Sequence, residues 1–247
     1  MSPPASLGRA AEPGSIADLV RIYSPEPVRA VLADLLRLEA EVRTSARRDL
    51  DHTIAHARLE WWQDEAERTL AGKPAHPLTR SLCAALAPRG LDLQPLVHSV
   101  RLQVAGLAGA EESAWESFYE GSLGTVFVVL GQALSSTAPP AALRRLGASV
   151  QQLSTERAAT PPSLAIALRT VQPALQSGIR PLLVWAALVG WRSERGVDVP
   201  DEAPPAGLRL AVAQQWVAWR AARAAEAGRF RWRWQAPMPS APSTHAS

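Results

Sequence analysis

The sequence predicts an all-α protein, and three observations carry that prediction. Proline-bounded segments fill the chain, and inside them apolar residues recur with the 3.6-residue period of a helix. Ala, Leu and Arg dominate while Val, Ile and Thr are sparse, and three Phe and two Tyr stand beside nine Trp. That composition favours helix over sheet. Alternation of polar and apolar residues never lasts more than a few positions, so no half-buried strand is expected.

The elements follow in order. Residues 1–14, with Pro3, Pro4, Pro13 and Gly14, read as a flexible arm. A helix is expected from Ser15 to Tyr23, broken by Ser24-Pro25-Glu26-Pro27. The next runs from Val28 to about Arg47, with Val28, Val31, Leu35, Leu38 and Val42 at spacings of 3, 4, 3 and 4 on one buried stripe. A third covers about Asp51–Ala71, with Ile54, Leu59, Trp62, Ala66 and Leu70 facing inward, Gly72 as its cap and Pro74 as its stop. Further helices are expected at 77–87, 92–107, 111–136, 140–157, 162–170, 174–195 and 205–227, with Pro139-Pro140, Pro161-Pro162 and Pro204-Pro205 at their junctions. Gly124–Leu130 and Leu182–Val189 are apolar on nearly every side, as central helices are. Residues 15–235 form one domain without internal repeats, and 236–247 have the composition of a disordered tail.

With 247 residues, 47% hydrophobic and 20% charged, the chain can bury a sizeable core. Its formal charge is +3, and Lys73 is the only lysine among 26 basic residues. The arginine and alanine excess reads as the bias of a GC-rich genome, since no dense basic run precedes the C-terminal region. One cysteine, Cys83, excludes an internal disulfide and a cysteine-based zinc site, which points to a reducing compartment. Arg9, Glu12 and Asp18 interrupt any early apolar run, so no secretory signal is expected. Thr125–Leu130 and Pro181–Gly190 are too short to span a bilayer. A cytoplasmic protein, or one peripheral to the inner membrane, is the expected localisation.

The most distinctive stretch is Ala57-Arg58-Leu59-Glu60-Trp61-Trp62-Gln63-Asp64, continuing through Leu70-Ala71-Gly72 to His76-Pro77. It resembles the "RLQWWRDAL…G…HP" signature of the squalene/phytoene synthase family, in the branch related to mitochondrial complex I assembly factors. Asp18 to Tyr23-Ser24-Pro25, followed by Arg29, is similar to the family's opening segment. Glu41 falls where the family carries a glutamate just before its first acidic motif, and Tyr119, Gly121 and Gly124-Thr125 resemble the segment lining its substrate cavity. Leu146-Gly147-Ala148-Ser149-Val150-Gln151 matches the start of its late motif-bearing helix. The resemblance runs from Asp18 to about Arg195. It implies an isoprenoid-synthase-type helical bundle around a central cavity, with Tyr23, Arg29, Arg47, Tyr119, Gly124 and Arg157 near a diphosphate-like or prenyl ligand.

The family's chemistry needs carboxylates that this chain lacks. Head-to-head prenyl coupling starts by ionising an allylic diphosphate, and the family holds Mg²⁺ against the departing pyrophosphate with carboxylates at i and i+4 on two facing helices. Such spacing puts both on one helix face. Where the first motif reads Arg-Asp-x-x-x-Glu, this chain reads Ala46-Arg47-Arg48-Asp49-Leu50-Asp51: Asp51 survives and Arg47 replaces the first carboxylate. Arg157 aligns with the second motif's arginine, but Ala158 and Pro162 stand in place of its aspartates, and no Asp lies between Asp92 and Asp198. The resemblance therefore implies a non-catalytic member that binds a prenyl or lipid ligand, or a protein partner in an assembly role. The alternative is an active Mg²⁺-dependent prenyltransferase acting on farnesyl or geranylgeranyl diphosphate through a depleted site. Asp51 and Glu41, with Asp49, read either as ligands of one Mg²⁺ or as an ion-paired helix end; Arg43, Arg47, Arg48 and Arg157 read either as diphosphate ligands or as surface arginines.

Other motifs carry less. Glu60, Asp64 and Glu67 share a helix face and read as solvated. Trp61 and Trp62 lie about 100° apart on a helix, so one is core and the other packs on the preceding helix. His52 and His56 have i, i+4 spacing but no third ligand, and Cys83 sits in an apolar helix as core filler. Trp216, Trp219 and the run Arg229-Phe230-Arg231-Trp232-Arg233-Trp234-Gln235 alternate arginine with aromatics. They read as a packed helix with an amphipathic end, as an anchor for an anionic membrane through residues 229–235, or, least favoured, as a nucleic-acid stacking surface.

Overall fold

The computed structural model describes residues 12–45, 52–87, 94, 121–155, 167–168, 178–197 and 204–230. Among them every regular element is a helix: α1 (Ile16–Ile22), α2 (Glu26–Ser45), α3 (His52–Leu70), α4 (Pro77–Leu86), α5 (Leu123–Ala133), α6 (Pro140–Thr155), α7 (Arg180–Glu194) and α8 (Leu208–Glu226). Helices expected over 92–107 and 162–170 fall largely outside the described residues, as do residues 111–120. None of the described helices is long and apolar enough to cross a membrane.

Local chemistry sets the ends. The Ser15 side chain accepts the Asp18 N–H and caps α1. α2 begins at Glu26, with Pro27 in its first turn, two residues before the expected start; proline has no N–H to lose there. Gly72 ends α3 at φ +70°, and Lys73 N–H reaches back to the Arg68 carbonyl at 2.8 Å, a glycine stop of the kind expected. α7 does not start at 174. Gly178 takes φ +88°, outside the helical region, and the helix follows at Arg180 with Pro181 in its first turn. Gly207, at φ +90°, likewise delays α8 to Leu208.

α7 is the axis of the described fold. Every residue from Pro181 to Arg192 is buried, because α1, α6 and α8 pack around it and Phe127 of α5 meets Trp185 at 5.2 Å. α2 is the second hub, packed on α1, α3, α4 and α5, and all five of its predicted stripe residues are buried. α5 and α6 pack extensively across a short connection, as an αα-hairpin does. On α3, Leu59, Trp62 and Ala66 are buried as expected, but Ile54 and Leu70 are exposed, so the packed face is confined to the middle of that helix. Gly14 does not belong to a loose arm: its carbonyl accepts the Gln214 amide at 2.8 Å and its N–H donates to Asp18.

Candidate functional site

The tryptophan–histidine signature folds into one buried polar knot between α2, α3 and α4. Glu65 lies on the buried face of α3, one turn from Trp62 and Thr69, and is fully buried. The glycine stop at Gly72 turns the chain so that residues 73–76 run back past this carboxylate. Ala75 and His76 donate their N–H groups to it at 2.9 and 2.8 Å, Arg68 Nε donates at 3.0 Å, and the Thr79 hydroxyl also donates to it. It sits at the N-terminal end of α4, where the helix dipole favours an anion. Burial pushes the Glu65 carboxyl upward, but the bonds from Thr79, His76, Arg68 and Ala75 outweigh it and hold the group below its ordinary value of 4.5.

His76 is the other half of the knot. Its Nδ1 accepts the Leu78 N–H at 3.3 Å, capping α4. The ring proton therefore rests on Nε2, which faces Glu41 Oε2 at 3.4 Å. Trp62 and Trp61 flank the ring at 5.0 and 5.8 Å, and Arg68 lies over Trp61 at 5.6 Å. Trp62 is the buried member of the pair, and it is also the one reaching the preceding helix, where its Nε1–H donates to Ser45 at 3.1 Å. Burial pushes His76 below its ordinary 6.5, Glu65 opposes that shift, and Arg80 adds to it. A neutral imidazole with one nitrogen committed to a cap and the other to a buried carboxylate is a fixed strut, not an accessible base. Cys83 nearby is held as a thiol, pushed upward by burial and then by the Glu65 charge, so it is no ready nucleophile.

Both depressed values make the fold acid-sensitive. Unfolding restores His76 to 6.5, so below that pH the unfolded chain takes up a proton that the folded one refuses. Below 4.5 the same holds for Glu65, until each folded value is passed. We expect stability to fall from near pH 6.5 downward in two stages, with the first stage absent in His76→Gln. Urea midpoints measured across pH 3–7 check this; a flat profile in the wild type would contradict it.

A second buried network joins α2, α5 and α6. Gln151 accepts the Leu123 N–H at 2.9 Å and donates to Ser122 at 3.1 Å, and the Ser122 hydroxyl donates to Glu39 at 3.1 Å. The start of α5 is thus capped from the neighbouring helix. Gly147 makes this approach feasible, since a β-carbon there would lie 2.7 Å from the Gly124 Cα. Two stretches that the sequence singled out separately, around Gly124 and around Gly147, meet here.

The remaining site candidates are dispersed. Tyr23 closes α1 with its ring against the core, and its carbonyl accepts Arg180 Nε at 3.1 Å. Arg29 serves the same helix end, donating to the carbonyls of Ser24 at 3.0 Å and Ile22 at 3.3 Å. Glu41 faces His76, and Gly124 packs on Gly147. Arg47, Asp51, Tyr119 and Arg157 lie outside the described residues, as do Arg231, Trp232, Arg233 and Trp234. Phe230, expected to insert into a membrane, is instead buried in the core, whereas Arg229 beside it is exposed. His56 is exposed and meets Glu60 at 3.3 Å. Among the described residues no three His, Cys, Asp or Glu side chains are grouped to hold a metal ion. Reading the sequence missed Glu65, whose signal was its place on the Trp62–Ala66–Thr69 face, and missed Arg192, which is buried and donates to Gln214 at 2.8 Å. No family model, curated protein or solved structure matches the chain.

Proposed function

We propose that this protein is a squalene/phytoene synthase-like helical bundle that has given up head-to-head coupling and works by binding, either of a prenyl or other lipid ligand or of a protein partner in an assembly role. The observation that carries this reading is the loss of carboxylates, with Arg47, Ala158 and Pro162 standing where the resemblance assigns metal ligands. With the second motif's aspartates replaced, little remains to hold Mg²⁺ against a departing pyrophosphate. Arginine at 47 and 157 favours the opposite arrangement, in which guanidinium groups meet a diphosphate directly and hold it without ionising it. The all-helical build supports the reading. So does the role of the Trp61-Trp62 to His76-Pro77 signature, whose residues pack into a structural knot rather than an open catalytic surface. A place at the cytoplasmic face of the inner membrane fits a binder of isoprenoid lipids.

The surviving Asp51 favours the second reading, a weak Mg²⁺-dependent prenyltransferase. One pair of measurements separates them. With farnesyl or geranylgeranyl diphosphate and Mg²⁺, organic extracts are expected to contain no head-to-head product above a buffer control. Calorimetric titration with a non-hydrolysable diphosphate analogue is expected to give heat that Arg47→Ala and Arg157→Ala reduce. Product that disappears in Asp51→Ala would establish the enzyme instead.

A further inference from the structure

α8 carries a stripe that nothing in the described fold covers. Gln214, Ala218, Ala221, Ala222 and Ala225 bury its inner face. On the outer face Leu208 is 80% exposed, Val212 57%, Trp216 54% and Trp219 51%. Their spacings of 4, 4 and 3 place them on one line, about 16 Å long at 1.5 Å per residue. Among the described residues the other large exposed apolar side chains, Ile22, Ile54 and Leu70, lie on α1 and α3 and form no such row.

The charges beside the stripe are mostly positive. Arg209, Arg220 and Arg223 are exposed around it, and Arg220 lies over Trp216 at 4.5 Å. Glu226, the only acid in α8, is engaged by Arg180 and Arg223. Arg229 is exposed just past the helix end, and the sequence continues Arg231-Trp232-Arg233-Trp234. Aliphatic and indole side chains in a row, bordered by guanidinium groups, match a surface whose outer layer is anionic and whose next layer is apolar. A second copy of the helix would set arginines against arginines. An acidic protein groove would satisfy the charges, but a single convex row with two tryptophans is what a headgroup layer accommodates.

We propose that the outer face of α8 docks the protein on an anionic phospholipid surface, with Leu208, Val212, Trp216 and Trp219 in the headgroup layer and Arg209, Arg220, Arg223 and Arg229 against phosphates. This assigns docking to the helix rather than to residues 229–235 alone. It rests on no part of the prenyl-binding reading.

Sedimentation of the full chain with phosphatidylcholine–phosphatidylserine vesicles tests it, with pure phosphatidylcholine as the comparison. Wild type is expected to bind the anionic vesicles and to release as salt rises. Trp216→Gln combined with Trp219→Gln should weaken partitioning on the order of tenfold or more while leaving the thermal transition in place, because both side chains lie outside the core. Arg220→Glu with Arg223→Glu should remove the preference for phosphatidylserine. A chain ended after Phe230, which keeps that core residue, should retain most of the binding. Wild type that ignores anionic vesicles overturns the proposal, as does a double tryptophan variant that binds like wild type. A wild-type dimer in solution that the tryptophan variant dissolves, without vesicle binding, would give the stripe to a second copy instead.

Discussion

Glu65→Ala is expected to destabilise the protein by about 3–5 kcal/mol, among the largest single losses available in the described fold. The carboxylate is fully buried and gathers the N–H groups of Ala75 and His76, the Thr79 hydroxyl and Arg68. Alanine strands those donors away from water and removes the carboxylate that holds Ala75 and His76 against α3. At about 2–4 °C per kcal/mol for a chain of this size, the thermal midpoint should drop by roughly 10 °C. Glu65→Gln retains an acceptor oxygen but turns an amide toward the donors, so its loss should be smaller, and it should erase the stability change below pH 4.5. Denaturant unfolding of both variants measures this. An alanine variant within about 1 kcal/mol of wild type would mean that packing and the backbone bonds of the turn suffice to hold it.

Gly147→Ala is expected to cost about 3 kcal/mol, a large penalty for one methyl group. The new β-carbon would stand 2.5 Å from the Leu123 carbonyl oxygen, 2.7 Å from the Gly124 Cα and 2.9 Å from its nitrogen. All three are backbone atoms, so no side-chain rotation relieves the overlap. α5 and α6 would have to separate, stretching the bond from Leu123 N–H to Gln151. Gly131→Ala is the built-in control. It meets only the side chain of Leu143, whose tip can swing away, and about 1 kcal/mol is expected. Equal losses at the two positions would contradict the backbone-overlap argument.

Periodicity made α2 legible in full, because a stripe at 3, 4, 3 and 4 has only one sensible inward face. Periodicity had no part in α5 and α7, which stood out as apolar on nearly every side and are buried accordingly. It failed at Ile54 and Leu70, since an apolar residue in register says nothing about whether a neighbour extends far enough to cover it. Gly178 and Gly207 were passed over as breaks: a lone glycine does not reveal its positive φ. The site was less legible than the fold. Glu65 sits among Glu60, Asp64 and Glu67, and an acidic run reads as a solvated face until the donors that surround one member are placed by the turn after Gly72. Phe230 was misread because its arginine and tryptophan neighbours resemble a membrane tail, while its own side chain returns to the core.

Arg180 gives the chain a problem of timing. Its guanidinium holds the Tyr23 carbonyl and the Glu226 carboxylate, and Gln214 reaches Gly14 across 200 positions. α1 leaves the ribosome long before α7 and α8, yet α7 supplies most of the helix surface packed on it, with smaller shares from α2 and α8. At about 5–20 residues per second of synthesis, Ile16, Leu19 and Val20 wait on the order of ten seconds or more for their partners. Throughout that interval the nascent chain displays an apolar helix whose socket is incomplete, and anything that shields it, a chaperone above all, would decide how much of the protein reaches the native state.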